Sequence, residues 1–441
     1  MTIKPTKIGV IGCGYVFDHY MTTFGRHKGI EIAAVTDRDS ARAQQVGTHY
    51  GLRVDADNAT LLADPDIDIV ANFTSIENHY EVSRTILEAG KHLYSEKPFT
   101  MKMEEAYALA ALAAQKGLRI SCAPSNALSA TAQTLWKAVA DGAVGDVRMV
   151  YAEFDDNPVY LLAPETWASR SGAPWPYLHE YEMGCTWEHI GYHLTWMCAI
   201  FGPVRHVTAF SKMTLPDKTN EPLDPADTPD FSVAALDFES GVIGRITCSI
   251  AAPTDHRMRI IGNRGVVSAD TYRDYTCPVR LEPFNSFTLK GRNLRAVRES
   301  SLLQGLFGVG GRRVPLAESP APGSKAIYRD AGNPLSPKTW INRLRAAQRG
   351  QQDKSIGLAE LADAIATDRP HFPPSEFTLH LTELTLAIQG AGPDGARHPM
   401  QTRFDPLHLP ERTRVAGPDY THWAKPALIP RTLQALLSRK R

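Results

Sequence analysis

The sequence predicts an α/β chain in two parts: a doubly wound parallel sheet over residues 1–125, then an α/β domain with an open, largely antiparallel sheet over residues 126–400. Three observations predict it. Short apolar runs alternate with helical segments as far as Pro124; strands separated by turns follow; and 441 residues exceed what one hydrophobic core usually serves.

In order, Lys7–Gly12 is an Ile/Val-rich strand, and the segment from Tyr15 to His27 reads as a helix. Glu31–Thr36 is a second strand, followed by an Ala/Gln-rich helix over Ser40–Tyr50 that Gly51 closes. Ile67–Phe73, His92–Ser95 and Leu118–Cys122 continue the strands, with helices over Asn78–Ala89 and Lys102–Lys116 between them. Strands joined by helices of this length require right-handed crossovers and hence a parallel sheet. After Pro124 come a helix near Ala130–Asp141, strands over Val147–Phe154, Val204–Phe210, Phe231–Phe238, Val242–Ile250, His256–Ile261 and Val266–Asp270, and a helix over Thr186–Phe201. Glu239-Ser240-Gly241 and Gly262 to Gly265 supply hairpin turns. Cys277 to Pro337 reads as irregular, helices return over Ser355–Ala366 and Ser375–Gly390, and residues 401–441 form a Pro-rich extension with a short final helix.

Equal numbers of acidic and basic residues, 48 of each, leave no electrostatic footprint for nucleic acid or an anionic membrane, so a small molecule is the expected partner. The six cysteines lack paired spacing, which argues against a disulfide framework or a thiolate metal site and fits a reducing cytoplasm. Met1 to Thr6 has no apolar signal core, and no run of about 18 apolar residues follows.

Gly12-Cys13-Gly14 joins the first strand to the first helix, where glycine permits a tight turn and lets a pyrophosphate approach bare backbone at the helix N-terminus. Phe17 stands where the third glycine of the Rossmann fingerprint belongs, so the match is incomplete. Asp37, closing the second strand, restores it: a carboxylate there accepts both ribose hydroxyls and repels a 2′-phosphate. The expectation is NAD, with Arg38 as the feature that leaves NADP open. An ordinary turn with a capping aspartate is the alternative.

Glu96-Lys97-Pro98 follows the fourth strand. Pro98 holds the preceding residue extended and admits a cis bond, which fixes Lys97 at a strand end where parallel sheets bind ligands. An ammonium there hydrogen-bonds a substrate hydroxyl, and a neighbouring nicotinamide cation would lower its pKa toward proton-transfer range.

With these motifs, the chain resembles the glucose-fructose oxidoreductase/inositol dehydrogenase/MocA family. The resemblance also rests on Leu87 to His92, on Gly142-Ala143-Val144-Gly145 before a strand, and on Gly357-Leu358-Ala359-Glu360. It implies a Rossmann domain followed by an open-sheet domain, a carbohydrate or polyol substrate between them, and a homodimer or homotetramer. The cofactor contacts expected are Gly12, Gly14, Tyr15, Val16, Asp37, Arg38, Thr74, His79, Glu96 and Lys97, with His79 resting mainly on the resemblance. In the family a helix of the second domain carries an aspartate and, four residues later, the histidine that takes the substrate proton. By position His193 matches that histidine, whereas His189 replaces the aspartate and Trp196 replaces a second acidic residue.

His189 and His193 lie one helical turn apart and share a face. A catalytic pair beside Lys97, with His193 as the base, competes with packed histidines and with a metal site; the last needs a third ligand, and no metal is expected. The segment Trp167 to Trp187 interleaves aromatic and polar residues as sugar pockets do, and Asn126, Trp175, Tyr177 and His179 join the histidines as expected substrate contacts. A packed loop is the competing reading for this segment, and it is preferred for Gly305 to Arg313 and His422 to Lys425.

Two activities follow. The first is reversible oxidation of a sugar or cyclitol hydroxyl with NAD. The second is glycoside hydrolysis by transient oxidation, elimination, water addition and re-reduction, which the resemblance implies because His189 is similar to the histidines of redox-assisted glycosidases. A cofactor- or sugar-sensing protein without catalysis is disfavoured by Lys97 and His193 together.

Overall fold

The computed structural model describes residues 5–320, 352–425, 432 and 435. The expected final helix and the end of the Cys277–Pro337 stretch lie outside the described residues or almost wholly so.

The first sheet runs β1 (Thr6–Ile11), β2 (Ile30–Thr36), β3 (Ile69–Asn72), β4 (His92–Ser95) and β5 (Ile120–Cys122), in spatial order β2-β1-β3-β4-β5. Every pairing is parallel. Strands buried on both faces need apolar runs, which is why Ile8, Val10, Ile69 and Val70 are almost without exposure. Helices α1 (Tyr15–Phe24), α2 (Ser40–Tyr50), α3 (Asn58–Ala63), α4 (His79–Glu88) and α5 (Met103–Lys116) make the connections. The Asp39 carboxylate caps α2 by accepting from the Ala41 and Arg42 amides, and Gly51 ends it at φ +70°. Helix α3 was not expected, because six residues show too little periodicity to be read. Strand order reverses between β1 and β3, and a crevice opens there at the carboxyl ends of the strands.

The second sheet contains β6 (Val147–Asp155), β7 (Val204–Lys212), β8 (Phe231–Phe238), β9 (Ile243–Ser249), β10 (Met258–Gly262), β11 (Gly265–Ala269), β12 (Val279–Pro283), β13 (Arg312–Arg313) and β14 (Ala396–Pro399). Their order is β13-β12-β11-β10-β6-β9-β8-β7-β14, antiparallel except between β6 and β9, so the open, largely antiparallel sheet expected from the sequence is present. Helices α6 (Ala130–Ala140), α7 (Tyr177–Met183), α8 (Cys185–His189) and α9 (Gly191–Phe201) belong to this half. The single helix expected over Thr186–Phe201 is α8 and α9, broken at Ile190. Short helices over Ser286–Asn293, Arg295–Glu299 and Ser301–Phe307, with β12 and β13, replace much of the stretch read as irregular; its Gly and Arg content masked elements this short.

The chain then returns to the first domain. Leu358, Leu361 and Ala362 of the helix Ile356–Ala366 pack into the apolar cluster of Ile8, Val10 and Phe17. His27 Nε2 lies 2.9 Å from Asp353 and the Ser355 hydroxyl donates to the Tyr20 carbonyl at 2.9 Å, which delivers Lys354 to the crevice. Beyond residue 400, Tyr420 is fully buried and donates to the Pro315 carbonyl at 2.8 Å.

Candidate active site

A cleft of about 650 Å³ runs from the β1–α1 turn to α7–α9, so both domains form its walls. A groove of about 660 Å³ shares Gly14, Asp37, Phe73, Thr74 and Ser75 with it and continues past Arg38 and Asn58.

At the turn, Gly12 has φ +102°, and a Cβ there would lie 2.5 Å from the Phe73 carbonyl carbon, so neither conformation nor space admits a side chain. Gly14 faces open space, since a Cβ would meet nothing within 4 Å. It N-caps α1 without a side-chain hydrogen bond, leaving the helix N-terminus bare toward the cleft. The Asp37 carboxylate accepts from the Cys13 amide at 2.6 Å and the Asp39 amide at 2.8 Å, which orients it at the mouth of the groove. This donor set fits a dinucleotide: backbone amides for the pyrophosphate and a carboxylate for the adenosine ribose. Tyr15, Val16, Thr74 and Glu96 line the cleft, and Arg38 lines the groove. His79 lines the cleft but is a buried brace, with Nδ1 2.7 Å from the Pro98 carbonyl and Nε2 3.1 Å from the Thr74 carbonyl.

The second domain lays a strap along the cleft. Ala173, Pro174, Trp175 and Pro176 line the cleft opposite Gly14 and Tyr15. Buried Asp18 of α1 anchors the strap by accepting from the Ser169 hydroxyl, from the Ser171 hydroxyl at 2.6 Å and from the Ser171 amide at 3.2 Å. Burial opposes its charge, yet these bonds and one from Tyr50 hold its pKa below the usual carboxylate range. Arg42 completes the anchor, donating to the Cys13 carbonyl at 2.6 Å and the Ser171 carbonyl at 2.9 Å.

Lys97 stands at the end of β4, and its bond to Pro98 is cis, as the sequence allowed. Its Nζ lies 2.5 Å from Glu188 Oε2. Burial pulls the lysine pKa down, but Glu188, Tyr192 and Glu96 more than offset it and hold the pKa above the ordinary value. Glu188, which the sequence reading did not assign, thus opposes the fall toward proton-transfer range expected beside a nicotinamide cation. Glu96 accepts from Tyr20 at 2.8 Å and from the Lys97 amide at 3.0 Å, with Lys354 Nζ 3.6 Å away.

The two histidines part company. His189 lines the cleft, stacked on Phe154 at 4.7 Å, with Nε2 2.5 Å from Glu180 Oε1. His193 sits at the edge of the same ring but has no exposure and does not line the cleft. Its Nε2 is 3.1 Å from the His256 carbonyl, its ring packs against Trp196 and Tyr272, and burial lowers its pKa to about 4. Both imidazoles meet Phe154, His189 on its face and His193 at its edge, and the second is fully buried. Among the described residues no three His, Cys, Asp or Glu side chains converge as a metal site.

Trp175, stacked on Trp167 at 4.8 Å, and His179, 2.8 Å from Glu77 across the domains, line the cleft. Tyr177 packs edge-on against Tyr181, and Asn126 is a buried brace donating to the Tyr192 carbonyl at 2.8 Å; neither lines the cleft. Residues missed by sequence reasoning are Glu180, Glu188, Tyr192, Arg273 and Lys354. Glu188 adjoins the histidine motif and was within reach; Arg273, which pairs with Asp156, and Lys354 come from turns without any local pattern.

Residues 6–123 match the NAD-binding Rossmann-fold domain of the Gfo/Idh/MocA oxidoreductases, and residues 132–268 match the C-terminal domain of the same family. The chain is 25% identical over 253 residues to D-apiose dehydrogenase of Paraburkholderia graminis, across 57% of this chain and 62% of that protein. It is also 25% identical over 252 residues to trans-1,2-dihydrobenzene-1,2-diol dehydrogenase of Oryctolagus cuniculus, across 57% and 70%. The WlbA dehydrogenase of Bordetella pertussis, solved with NADH and UDP-GlcNAcA, shares the fold with a TM-score of 0.63 at 17% identity, over 92% of this chain and 100% of that one. With both halves matched in order, and a glycine turn, a strand-end lysine and an open sheet in the places described, the chain belongs to the Gfo/Idh/MocA oxidoreductase family.

Proposed function

We propose that the protein oxidises a secondary hydroxyl of a sugar, sugar derivative or cyclitol with NAD as the acceptor. The observation that carries the reading is the meeting of Lys97, Glu188 and His189 in the cleft that also contains Gly14 and Asp37. Gly12, Gly14, Asp37 and the start of α1 would hold the dinucleotide, which supplies the two-electron acceptor when bound.

The protein's own contribution is electrostatic and positional. Lys97, kept charged by Glu188, donates to the substrate oxygen and stabilises it as the proton leaves. His189 faces the same space and replaces His193 as the proton acceptor of choice. Trp175 offers an aromatic wall to the C–H face of a sugar ring. Asp37 favours NAD over NADP, since its carboxylate opposes a 2′-phosphate.

A second reading is redox-assisted glycoside cleavage. His189 with Glu180 favours it, because an acid–base pair beside Lys97 is what a departing aglycone needs. One experiment separates the two. The protein is incubated with NAD, aldoses, myo-inositol and p-nitrophenyl glycosides while absorbance is followed at the nicotinamide and nitrophenol bands. Stoichiometric NADH without nitrophenol supports the dehydrogenase; nitrophenol release with catalytic NAD and no net NADH supports the glycosidase; neither signal removes both.

A further inference from the structure

Helix α7 lies in a segment without a helical pattern, yet it carries one of the most buried carboxylates of the cleft. Glu180 is 7% exposed, and its Oε1 lies 2.5 Å from His189 Nε2. The imidazole cannot swing freely, because it lies flat on Phe154 with 14° between the ring planes. With Nε2 engaged by Glu180, Nδ1 is the nitrogen left for a ligand in the cleft that both residues line.

We propose that Glu180 and His189 form one carboxylate–imidazole proton acceptor, in which Glu180 is the positioning residue and His189 Nδ1 receives the substrate hydroxyl proton. This rests on the reading of the cleft as a hydroxyl-oxidising site. In the resting pair, Nε2–H donates to the Glu180 carboxylate and Nδ1 holds a free lone pair. The substrate O–H bond breaks and its proton bonds to Nδ1, while the Nε2 proton passes to Glu180. The O–H electron pair becomes the second C–O bond, and the C–H pair leaves to the nicotinamide dinucleotide. The pair ends neutral, as a carboxylic acid beside an imidazole protonated on Nδ1.

The surroundings favour uptake of one proton and no second. Burial raises Glu180 to about 7, whereas burial and the Lys97 charge lower His189 to about 3. The charged and titratable groups facing the pair are Lys97 from the β4 end, Asp156 after β6, Arg273 after β11, Glu188 on α8, His179 and Tyr181 on α7, Tyr15 on α1 and His256 before β10. Lys97 and Arg273 disfavour a full imidazolium, so the proton settles on the carboxylate.

The test uses the NAD-loaded full-length protein with ¹³C-labelled glutamate carboxyls and ¹⁵N-labelled histidine, titrated from pH 5 to 9. The Glu180 carboxyl and the His189 ring are expected to move together, with a single midpoint near neutrality, and in Glu180→Gln the His189 signal should stop moving. A Glu180 that stays ionised throughout in the wild type, or a His189 titration that Glu180→Gln leaves unchanged, overturns the proposal without needing any variant to be active. With any compound the panel shows to be oxidised, Glu180→Gln should lower kcat/KM about a hundredfold and flatten its acid limb, and Glu180→Asp should recover most of the loss. Wild-type turnover in Glu180→Gln also overturns it. If no compound is oxidised, the functional reading fails while the titration still decides the pair.

Discussion

Lys97 Nζ lies 2.5 Å from Glu188 Oε2, joining the end of the fourth strand of one domain to the short helix α8 of the other. A partly buried lysine would ordinarily lose affinity for its proton, and Glu188 reverses that. Because the folded pKa is raised, the charge persists as pH rises through the usual lysine range. Glu188→Gln removes the charge that most strongly raises the lysine's pKa, so the alkaline limb of kcat/KM should move to lower pH. A pH–rate profile checks this, and an alkaline limb unchanged by the substitution would show that Glu188 does not set the lysine's charge.

Asp37 binds the Cys13 and Asp39 amides as well as facing the groove. Asp37→Ala should therefore weaken NAD at least about tenfold, by loss of the ribose contact and loosening of the glycine turn, while weakening NADP less. Titration calorimetry with both dinucleotides measures the ratio, and an unchanged preference would remove Asp37 as the ribose ligand.

Gly12→Ala puts a Cβ 2.5 Å from backbone at φ +102°. Strain and overlap together should cost roughly 2 to 4 kcal/mol and abolish dinucleotide binding. Urea unfolding with and without NAD tests this, and a wild-type midpoint would contradict the turn geometry.

His193 should matter to stability and little to turnover. Burial holds its folded pKa near 4, below the unfolded value, so the unfolded state takes up a proton first as pH falls from about 6.5 toward 4 and stability is lost across that window. This residue's share is on the order of 2 kcal/mol at pH 4.5. His193→Gln should flatten the pH dependence of the unfolding free energy there, and at pH 7.5 kcat should stay within about tenfold of wild type. A hundredfold loss of kcat with native stability would return His193 to the chemistry.

Asp18 anchors the strap that lines the cleft together with Gly14 and Tyr15. Asp18→Ala should speed NAD dissociation at least about tenfold and expose the strap around Ser169 to protease, with fluorescence stopped-flow and limited proteolysis as readouts. Unchanged dissociation would show that the strap does not retain the cofactor.

What was legible in the sequence was what local chemistry dictates. Gly12 and Asp37 announce themselves because a turn and a strand end need those residue types at those places, and Lys97 because proline follows it. The parallel sheet was legible for a similar reason, since buried strands are continuous apolar runs. What stayed hidden depends on tertiary return. Lys354 reaches the cleft only because Asp353 and Ser355 dock on α1 and its flank, and Glu180 only because α7 folds within an aromatic segment that reads as a loop. His193 was assigned by its resemblance to the family's proton-accepting histidine, and its one-turn spacing from His189 carried no information about which imidazole the sheet would cover.

The central claim is that Lys97 touches the substrate oxygen and leaves dinucleotide binding to the glycine turn. Single-turnover NADH formation, measured at saturating NAD on a sugar or cyclitol from the panel, compares wild type with Lys97→Met while NAD affinity is measured in parallel. At least about a hundredfold slower NADH formation with an unchanged Kd for NAD is the predicted result. A rate near wild type would contradict it.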